Sequence, residues 1–238
     1  FDMRVGFDRD AFSTKQCFYK SKDGTRVPMF VVGPKDEENV VSSPRPTLLY
    51  GYGGFNISLT PYFSVTRLCW MKVFNANFVM ANLRGGGEYG VSWHKLGQKT
   101  NKQNVFDDFI AAGEYLIENK YTTSKQLAIM GGSNGGLLVS ACTLQRPDLF
   151  QCAISQVPVT DMLRFHKFTI GYAWCSDYGC ADENEDEFKY MLEYSPVHNT
   201  HRIREREDVP ALMVCTADHD DRVVPLHSYK FAAAMQRD

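Results

Sequence analysis

The sequence lacks the features that mark several large classes of protein. No apolar run approaches the roughly 20 residues that a membrane-spanning helix needs, and no secretory signal is visible. The net charge of -2 over 238 residues gives no electrostatic reason to expect nucleic acid or a charged membrane as a partner. Internal repeats and low-complexity segments are missing too. The 44% hydrophobic and 23% charged residues that are present are ordinary for a globular domain with a real core.

The cysteines do not form the sequence patterns that indicate a disulfide framework or a metal site. The seven cysteines are an odd number, and Cys175 and Cys180 have no second pair nearby at the spacing of a zinc site. Cys142, Cys152 and Cys215 lie within apolar runs, where a free thiol behaves as a small hydrophobic group. We therefore expect reduced, buried thiols, no metal and a cytoplasmic protein.

Short apolar strands alternate with amphipathic helices along the chain. Residues 1–14 carry no strong pattern and are predicted as an entering segment, and a hairpin around Asp23 and Gly24 follows. We predict a surface loop at 34–46, strands at 47–50, 77–83, 126–130, 151–155 and 210–216, and helices at 62–73, 104–118, after 136, at 184–194 and from 225. Residues 158–180 are predicted to be irregular. This alternation predicts an α/β-hydrolase-type fold over residues 15–238, with a mostly parallel sheet covered by helices on both faces.

The stretch GGSNGG at residues 131–136 separates one apolar run from another. The strand, sharp turn and helix predicted around it match the G-x-S-x-G nucleophile elbow, in which a strained turn lifts a serine hydroxyl out of the sheet. Glycine suits such a turn because neighbouring backbone segments approach closely there. We therefore predict that Ser133 is a nucleophile.

A catalytic acid and a histidine should follow the nucleophile in this type of fold. The loop after the strand at 210–216 contains Asp218, Asp220 and Asp221, and the residue pattern alone leaves the choice among them open. Only His227 follows this loop, close behind it and beside the start of a helix. His227 is therefore a poor candidate for the base, and we expect the catalytic histidine to lie beyond residue 238.

An oxyanion hole requires donors aimed at the developing negative charge. The backbone N–H of Asn134 supplies one, and the loop after strand 47–50 should supply the second, from a backbone N–H or from the Tyr52 hydroxyl. A second glycine-rich run, at 85–90, matches G-x-G-x-x-G, but the helix and the strand-end acid that a dinucleotide site also needs are not predicted after it. We interpret that run as a tight turn beside the catalytic loops.

Four motifs together resemble the catalytic domain of the prolyl oligopeptidase family. They are GGSNGGLL at 131–138, YGYGGF at 50–55, RGGGEYG at 84–90 and DHDDRVVP at 218–225. The resemblance runs from about residue 15 to residue 238. It implies an α/β-hydrolase fold that is incomplete at its C-terminus, and a cofactor-free serine oligopeptidase that cleaves short peptides after proline.

The resemblance also implies roles for the catalytic residues. Ser133 is the expected nucleophile and Asp220 the expected triad acid. The Tyr52 hydroxyl is expected to donate to the oxyanion alongside the Asn134 N–H.

A substrate pocket follows from the same resemblance. Trp174 is expected to stack on the substrate proline, with Phe55, Val159 and Tyr178 lining the pocket, and Arg222 to hold a substrate carbonyl. These roles fit the chemistry, because a proline ring has no N–H and presents a flat apolar face, and an arginine donates well to a carbonyl.

Three parts of the family pattern are not found in this sequence. In the family, a β-propeller and a short N-terminal segment precede this domain, and the histidine lies past the last residue here. We expect this chain by itself to be inactive or nearly so, since losing a triad member costs several orders of magnitude in rate. We also expect a monomer with no nucleic-acid or membrane partner. Two other functions stay open: a serine esterase or peptidase of other specificity on the same fold, and a non-catalytic protein that binds substrate or partners.

Overall fold

A computed structural model describes residues 6–35 and 43–238, and seven strands within these ranges form one sheet. The strands are β1 (Phe12–Lys20), β2 (Arg26–Pro34), β3 (Thr47–Tyr50), β4 (Asn77–Ala81), β5 (Leu127–Gly132), β6 (Cys152–Gln156) and β7 (Ala211–Cys215). Their order in the sheet is β1-β2-β4-β3-β5-β6-β7. β2 pairs antiparallel with both β1 and β4, and every other neighbouring pair is parallel. The predicted mostly parallel sheet with an antiparallel start is therefore confirmed.

Helices cover both faces of this sheet, as predicted. They are α1 (Val65–Phe74), α2 (Val91–Lys95), α3 (Gln103–Glu118), α4 (Asn134–Gln145), α5 (Cys175–Tyr178), α6 (Glu185–Tyr194) and α7 (Leu226–Arg237). Alternate residues of β4 point to opposite faces. Phe78 and Met80 pack with Leu68 of α1, whereas Val79 and Ala81 join the main core with α3 and α4.

The helix that follows the elbow is the most deeply buried one. Every residue of α4 except its last is buried, because the helix packs against β5 and β6 and also against α3. α3 in turn presents Phe106, Phe109 and Leu116 to the core at helical spacing. The elbow therefore rests on a rigid support.

Observed and predicted boundaries differ at a few places. β1 begins at Phe12, so the strand includes three residues that were assigned to the entering segment. α1 begins at Val65 rather than at residue 62, because the Ser64 hydroxyl accepts a hydrogen bond from the Arg67 N–H and caps the helix. α2 and α5 are short helices that were not predicted. Residues 1–5 of the predicted entering segment and 36–42 of the predicted loop lie outside the described residues.

The cysteines are all free thiols, and they differ in burial. Cys17, Cys142 and Cys180 are buried, and Cys152, Cys175 and Cys215 are half-buried. The prediction of buried thiols is wrong for Cys69, which is exposed because it lies outside the buried face of α1 formed by Leu68 and Met71.

Candidate active site

Ser133 lies in the sharp turn between β5 and α4. Its φ of 57° and ψ of -115° fall in a region that non-glycine residues rarely adopt. The Ser133 N–H donates to the carbonyl of Gln156, on the neighbouring strand, at 2.9 Å and helps to hold this conformation. The structure therefore contains the strand, strained turn and helix that the sequence predicted for an elbow.

Three glycines make the turn sterically possible. A Cβ atom on Gly131 would lie 2.4 Å from the Gly135 carbonyl oxygen, and one on Gly135 would lie 2.6 Å from the Gly51 carbonyl oxygen. A Cβ atom on Gly136 would lie 2.7 Å from a backbone carbonyl oxygen of β6. Each contact would force the backbone apart. Gly132 is different, because the nearest atom to its Cβ position is 3.8 Å away.

The loop after β3 brings Tyr52 to the nucleophile. The Tyr52 side chain lies close enough to Ser133 for the serine to affect the pKa of the phenol. Burial raises the pKa of Tyr52, while the neighbouring Ser133 and the nearby charge of Arg222 oppose that rise. The phenol therefore keeps its proton and is available as a donor. Asn134 follows Ser133 directly and opens α4, so both predicted oxyanion donors adjoin the nucleophile.

The side chain of Asn134 connects three parts of the site. Its Nδ2 donates to the Tyr52 carbonyl at 2.5 Å, and its Oδ1 accepts from Lys102 Nζ at 3.0 Å and from the Tyr178 hydroxyl at 2.8 Å. The nucleophile turn is thereby tied to the Tyr52 loop and to an aromatic wall. Sequence reasoning predicted only the backbone role of Asn134.

Among the three aspartates after β7, Asp220 has distinct surroundings. Its Oδ1 accepts from the backbone N–H groups of Arg222 and Val223, at 3.0 Å and 2.9 Å. Asp220 is half-buried, whereas Asp218 and Asp221 are exposed. β7 lies two strands away from β5, so the loop begins roughly 10 Å from the elbow at the usual strand spacing.

The His227 side chain is buried and is hydrogen-bonded to the segment that follows β6. It is 1% exposed, and its Nδ1 accepts from the backbone N–H groups of Thr160 and Asp161 at 3.3 Å and 3.1 Å. Burial lowers the pKa of His227 to about 4. Within the described residues it makes no hydrogen bond to Ser133 or Asp220. This supports the expectation that His227 is not the base.

Three of the four predicted pocket residues are aromatic and belong to one cluster, and the fourth, Val159, lies in the same hydrophobic core. Phe55 and Tyr178 meet edge to face with ring centroids 5.3 Å apart, and Val159 and Trp174 lie in the same core. Phe165 stacks on Trp174 at 6.3 Å and meets Tyr178 at 5.3 Å, so it completes the cluster. Sequence reasoning missed Phe165, and its only signal is the aromatic richness of residues 158–180.

Arg222 lies on the loop that follows β7. Its side chain is exposed, and its backbone carbonyl accepts from the Thr169 hydroxyl at 3.3 Å. Its charge is near enough to Tyr52 to lower the pKa of that phenol. The structure thus places a cation near the predicted oxyanion site.

A buried carboxylate, missed by sequence reasoning, links the pocket to the loop after β3. Asp177 is 2% exposed, and its Oδ2 accepts from the Phe55 N–H at 3.3 Å. Its Oδ1 is bonded to His94 Nε2 at 2.6 Å and accepts from Gln98 Nε2 at 3.1 Å. Asp177 therefore anchors Phe55, one wall of the pocket, to the segment around α2.

The glycine-rich run at 85–90 packs against the same loop, as predicted. A Cβ atom on Gly85 would lie 2.6 Å from the Gly53 carbonyl oxygen, and the Asn56 N–H donates to the Gly85 carbonyl at 3.2 Å. α2 follows directly, which the sequence interpretation did not predict.

In 6–35 and 43–238, no three or more histidine, cysteine, aspartate or glutamate side chains are grouped so as to hold a metal ion. No helix in the same ranges has the length and apolar character needed to span a bilayer.

The chain is similar in sequence to known proteins over most of its length. The profile of the prolyl oligopeptidase family matches residues 61–238. Prolyl endopeptidase from Dictyostelium discoideum is 52% identical over 232 residues, which are 97% of this chain and 30% of that protein. Prolyl endopeptidase from Elizabethkingia meningoseptica is 48% identical, over 98% of this chain and 32% of that protein. The chain therefore spans about a third of the length of these curated relatives.

Solved structures are similar over nearly the whole chain. One, from a structural and mechanistic study of two prolyl endopeptidases, is 55% identical with a TM-score of 0.91 and covers 98% of this chain and 33% of its own. Apo prolyl oligopeptidase B from Galerina marginata is 43% identical with a TM-score of 0.89, over 97% and 32%. Substrate-bound structures of the latter protein carry alanine in place of a serine, an aspartate or a histidine, which follow one another in that order. The α/β-hydrolase fold predicted from the sequence is confirmed by these similarities.

Proposed function

The chain belongs to the prolyl oligopeptidase family, and on this premise we propose that it is the catalytic part of a serine oligopeptidase. The proposed reaction is the hydrolysis of short peptides on the carboxyl side of proline. The observation that carries the proposal is the Ser133 elbow, whose serine lies beside Tyr52 and whose Asn134 side chain accepts a hydrogen bond from Tyr178 of the aromatic cluster.

In the proposed mechanism, Ser133 Oγ attacks the carbonyl carbon of the substrate proline and passes its proton to a histidine that Asp220 orients. The carbonyl oxygen becomes an oxyanion and accepts hydrogen bonds from the Asn134 N–H and the Tyr52 hydroxyl. Collapse of this intermediate transfers the proton to the leaving amine and leaves a proline ester on Ser133. Water then attacks the ester with the same histidine as base, which releases the acid and restores the hydroxyl.

Specificity for proline is assigned to the aromatic cluster. A proline ring adds no N–H that would need a partner, so an apolar slot formed by Trp174, Tyr178 and Phe55 suits it. Arg222 is the proposed donor to a substrate carbonyl upstream of the proline, because its side chain is exposed near Tyr52.

The chain alone is proposed to be inactive. His227 is the one histidine after Asp220 in the sequence, and its buried imidazole is bonded to Thr160 and Asp161. We infer that the base is contributed by a longer protein, here called the parent protein, which also carries a β-propeller. The parent is proposed to be a cofactor-free cytoplasmic monomer.

Labelling with a fluorophosphonate probe tests the nucleophile and the inactivity together. We expect the parent protein to be labelled at Ser133, and its Ser133→Ala variant and the isolated chain to be labelled weakly or not at all. Strong labelling of the isolated chain would contradict the proposed inactivity. Labelling of the Ser133→Ala parent as strong as that of the wild type would contradict the assigned nucleophile.

Specificity is tested by comparing a proline peptide with a simple ester. In the parent, Trp174→Ala should reduce kcat/KM for the peptide far more than for the ester, because only the peptide uses the slot. Tyr172→Ala is the matched control, since this aromatic is 69% exposed in the same segment. Equal losses on both substrates in Trp174→Ala would favour an esterase or a peptidase of other specificity.

A further inference from the structure

Lys102 is a fully buried cation next to the candidate active site. The residue is 1% exposed and immediately precedes α3. Its Nζ donates to the Gly53 carbonyl and to Asn134 Oδ1, both at 3.0 Å, and lies 5.3 Å from the centre of the Tyr178 ring. Lysine is among the residues least often buried, so its presence here calls for a physical account.

The burial of this ammonium group is unfavourable by itself. Removing an ion from water is unfavourable in a protein interior, and two neutral oxygen acceptors offset only part of that cost. Asp177 favours the charged form through space, without a hydrogen bond to Nζ. Burial is the larger effect and lowers the pKa of Lys102 to about 8.

The two acceptors of Lys102 belong to the two halves of the oxyanion site. The Gly53 carbonyl is on the loop that carries Tyr52, and Asn134 carries the other donor on its backbone. The Asn134 side chain also donates to the Tyr52 carbonyl at 2.5 Å. Successive carbonyls of the Tyr52 loop are thereby held by one connected pair of side chains.

We propose that Lys102 is a positioning residue for the oxyanion site, which fixes the Tyr52 loop against Asn134 and keeps a positive charge behind both donors. This inference rests on the proposed function of Ser133. A 1 Å displacement of a group in such a site can reduce the rate about 100-fold, so a side chain that sets the spacing of two donors affects catalysis without touching substrate. Its charge also favours the oxyanion, which forms in a partly water-excluded site.

The protonation state of Lys102 should therefore be visible in the rate. The titratable groups that face it are Asp177 and Tyr178 of α5. Tyr52 of the loop after β3 interacts with Tyr178, and His94 of α2 is bonded to Asp177. Burial raises the pKa values of both tyrosines, so they stay neutral where Lys102 loses its proton. A raised pH should remove the charge of Lys102 before it removes either phenol proton.

The test is made in the parent protein, with a proline peptide as substrate and thermal unfolding as a check on folding. In the wild type, kcat should fall as pH rises through about 8. Lys102→Met should lower kcat at neutral pH by about 10- to 100-fold with a small change in KM, and should lack that alkaline fall. Lys102→Arg keeps the positive charge, so the alkaline decrease of kcat should occur at a higher pH in this variant. Lys95→Met, which removes an exposed lysine nearby, should behave as the wild type.

An unchanged kcat in folded Lys102→Met would overturn the proposal, and so would an alkaline fall that stays near the same pH in Lys102→Arg. If Lys102→Met does not fold, the pH profiles of kcat for the wild type and for Lys102→Arg test the proposal instead. A wild-type kcat that does not decrease as pH rises through about 8 would contradict it. Failure of the proposed function looks different, because the wild type itself would then not cleave proline peptides. Should the parent hydrolyse only esters, the same variants compared on an ester still decide the role of Lys102.

Discussion

Ser133 occupies a backbone conformation that costs on the order of 1–3 kcal/mol and persists only because its surroundings impose it. The contacts that impose it are specific. The Ser133 N–H is bonded to Gln156, and the backbone segments around Gly131 and Gly135 are too close together for a Cβ atom. The strained turn holds Ser133 beside Tyr52, the proposed oxyanion donor, and so connects the local geometry to chemistry.

Removal of the Tyr52 hydroxyl should therefore affect the transition state more than the bound substrate. In the parent protein, we expect Tyr52→Phe to reduce kcat by about 100- to 1000-fold, the usual effect of losing one oxyanion donor, with KM nearly unchanged. Steady-state kinetics on a proline peptide measures both constants. Tyr62→Phe, at a 65% exposed tyrosine away from the elbow, is the matched control. A rise in KM with kcat preserved would show that Tyr52 only binds substrate.

His227 gives a prediction about stability at low pH. Burial lowers its pKa from an ordinary 6.5 to about 4, so the unfolded chain takes up a proton at a higher pH than the folded chain does. The contribution of His227 to stability should accordingly be constant above pH 6.5 and should fall by about 3 kcal/mol as pH drops towards 4. Burial lowers the pKa of His198 as well, which adds a fall in the same direction.

The variant His227→Asn keeps a hydrogen-bond acceptor for Thr160 and Asp161 but cannot titrate. Urea unfolding at several pH values should show a shallower loss of stability below pH 6.5 than in the wild type. His219→Asn, at an exposed histidine, should leave the slope unchanged. A slope that is the same in His227→Asn and the wild type would contradict the assigned cause.

At the scale of elements, Arg84 joins three parts of the fold. Its guanidinium is 2% exposed and is bonded to Asp108 of α3 at 2.6 Å, and to Asp23 in the β1–β2 turn at 2.5 Å. The Arg84 Nη2 also donates to Ser21 at 3.2 Å. Because Arg84 follows β4, this one side chain links the hairpin, the sheet and α3 beside the glycine-rich run at 85–90.

The two carboxylates that bind Arg84 should contribute very different amounts. Asp108 is fully buried, so Asp108→Asn leaves the guanidinium without its buried counter-charge and should cost about 3–5 kcal/mol. Asp23 is 46% exposed, and Asp23→Asn should cost at most about 1 kcal/mol. Denaturant unfolding of both variants provides the comparison. Similar losses in the two would show that burial does not govern this ion network.

At the scale of the whole molecule, the features that could be predicted from the sequence are those specified by residues close together along the chain. Ser133, the strand before it and the helix after it were predictable because a short motif and two apolar runs specify them together. The strands at 47–50 and 77–83 were predictable for the same reason, since strands buried on both faces are continuously apolar.

The supporting side chains of the site were not predictable, because their partners lie far away along the chain. Asp177 is bonded to His94 across 83 positions, and Lys102 to Asn134 across 32. No local periodicity encodes such pairs, and a lysine is expected at the surface. Phe165 was missed for a related reason, since an irregular aromatic-rich segment does not indicate which ring meets Trp174.

β7 is an edge strand of the described sheet, and it is partly exposed. Met213 is 59% exposed on this strand, and unpaired edge strands recruit other chains. We expect the isolated chain to associate as its concentration rises, and Met213→Lys to reduce this association, because a charge on an edge strand opposes pairing. Light scattering and size-exclusion chromatography measure the effect. Val73→Lys, at a residue 72% exposed on α1, adds the same charge away from the edge, so an equal reduction in both variants would assign the effect to net charge rather than to β7.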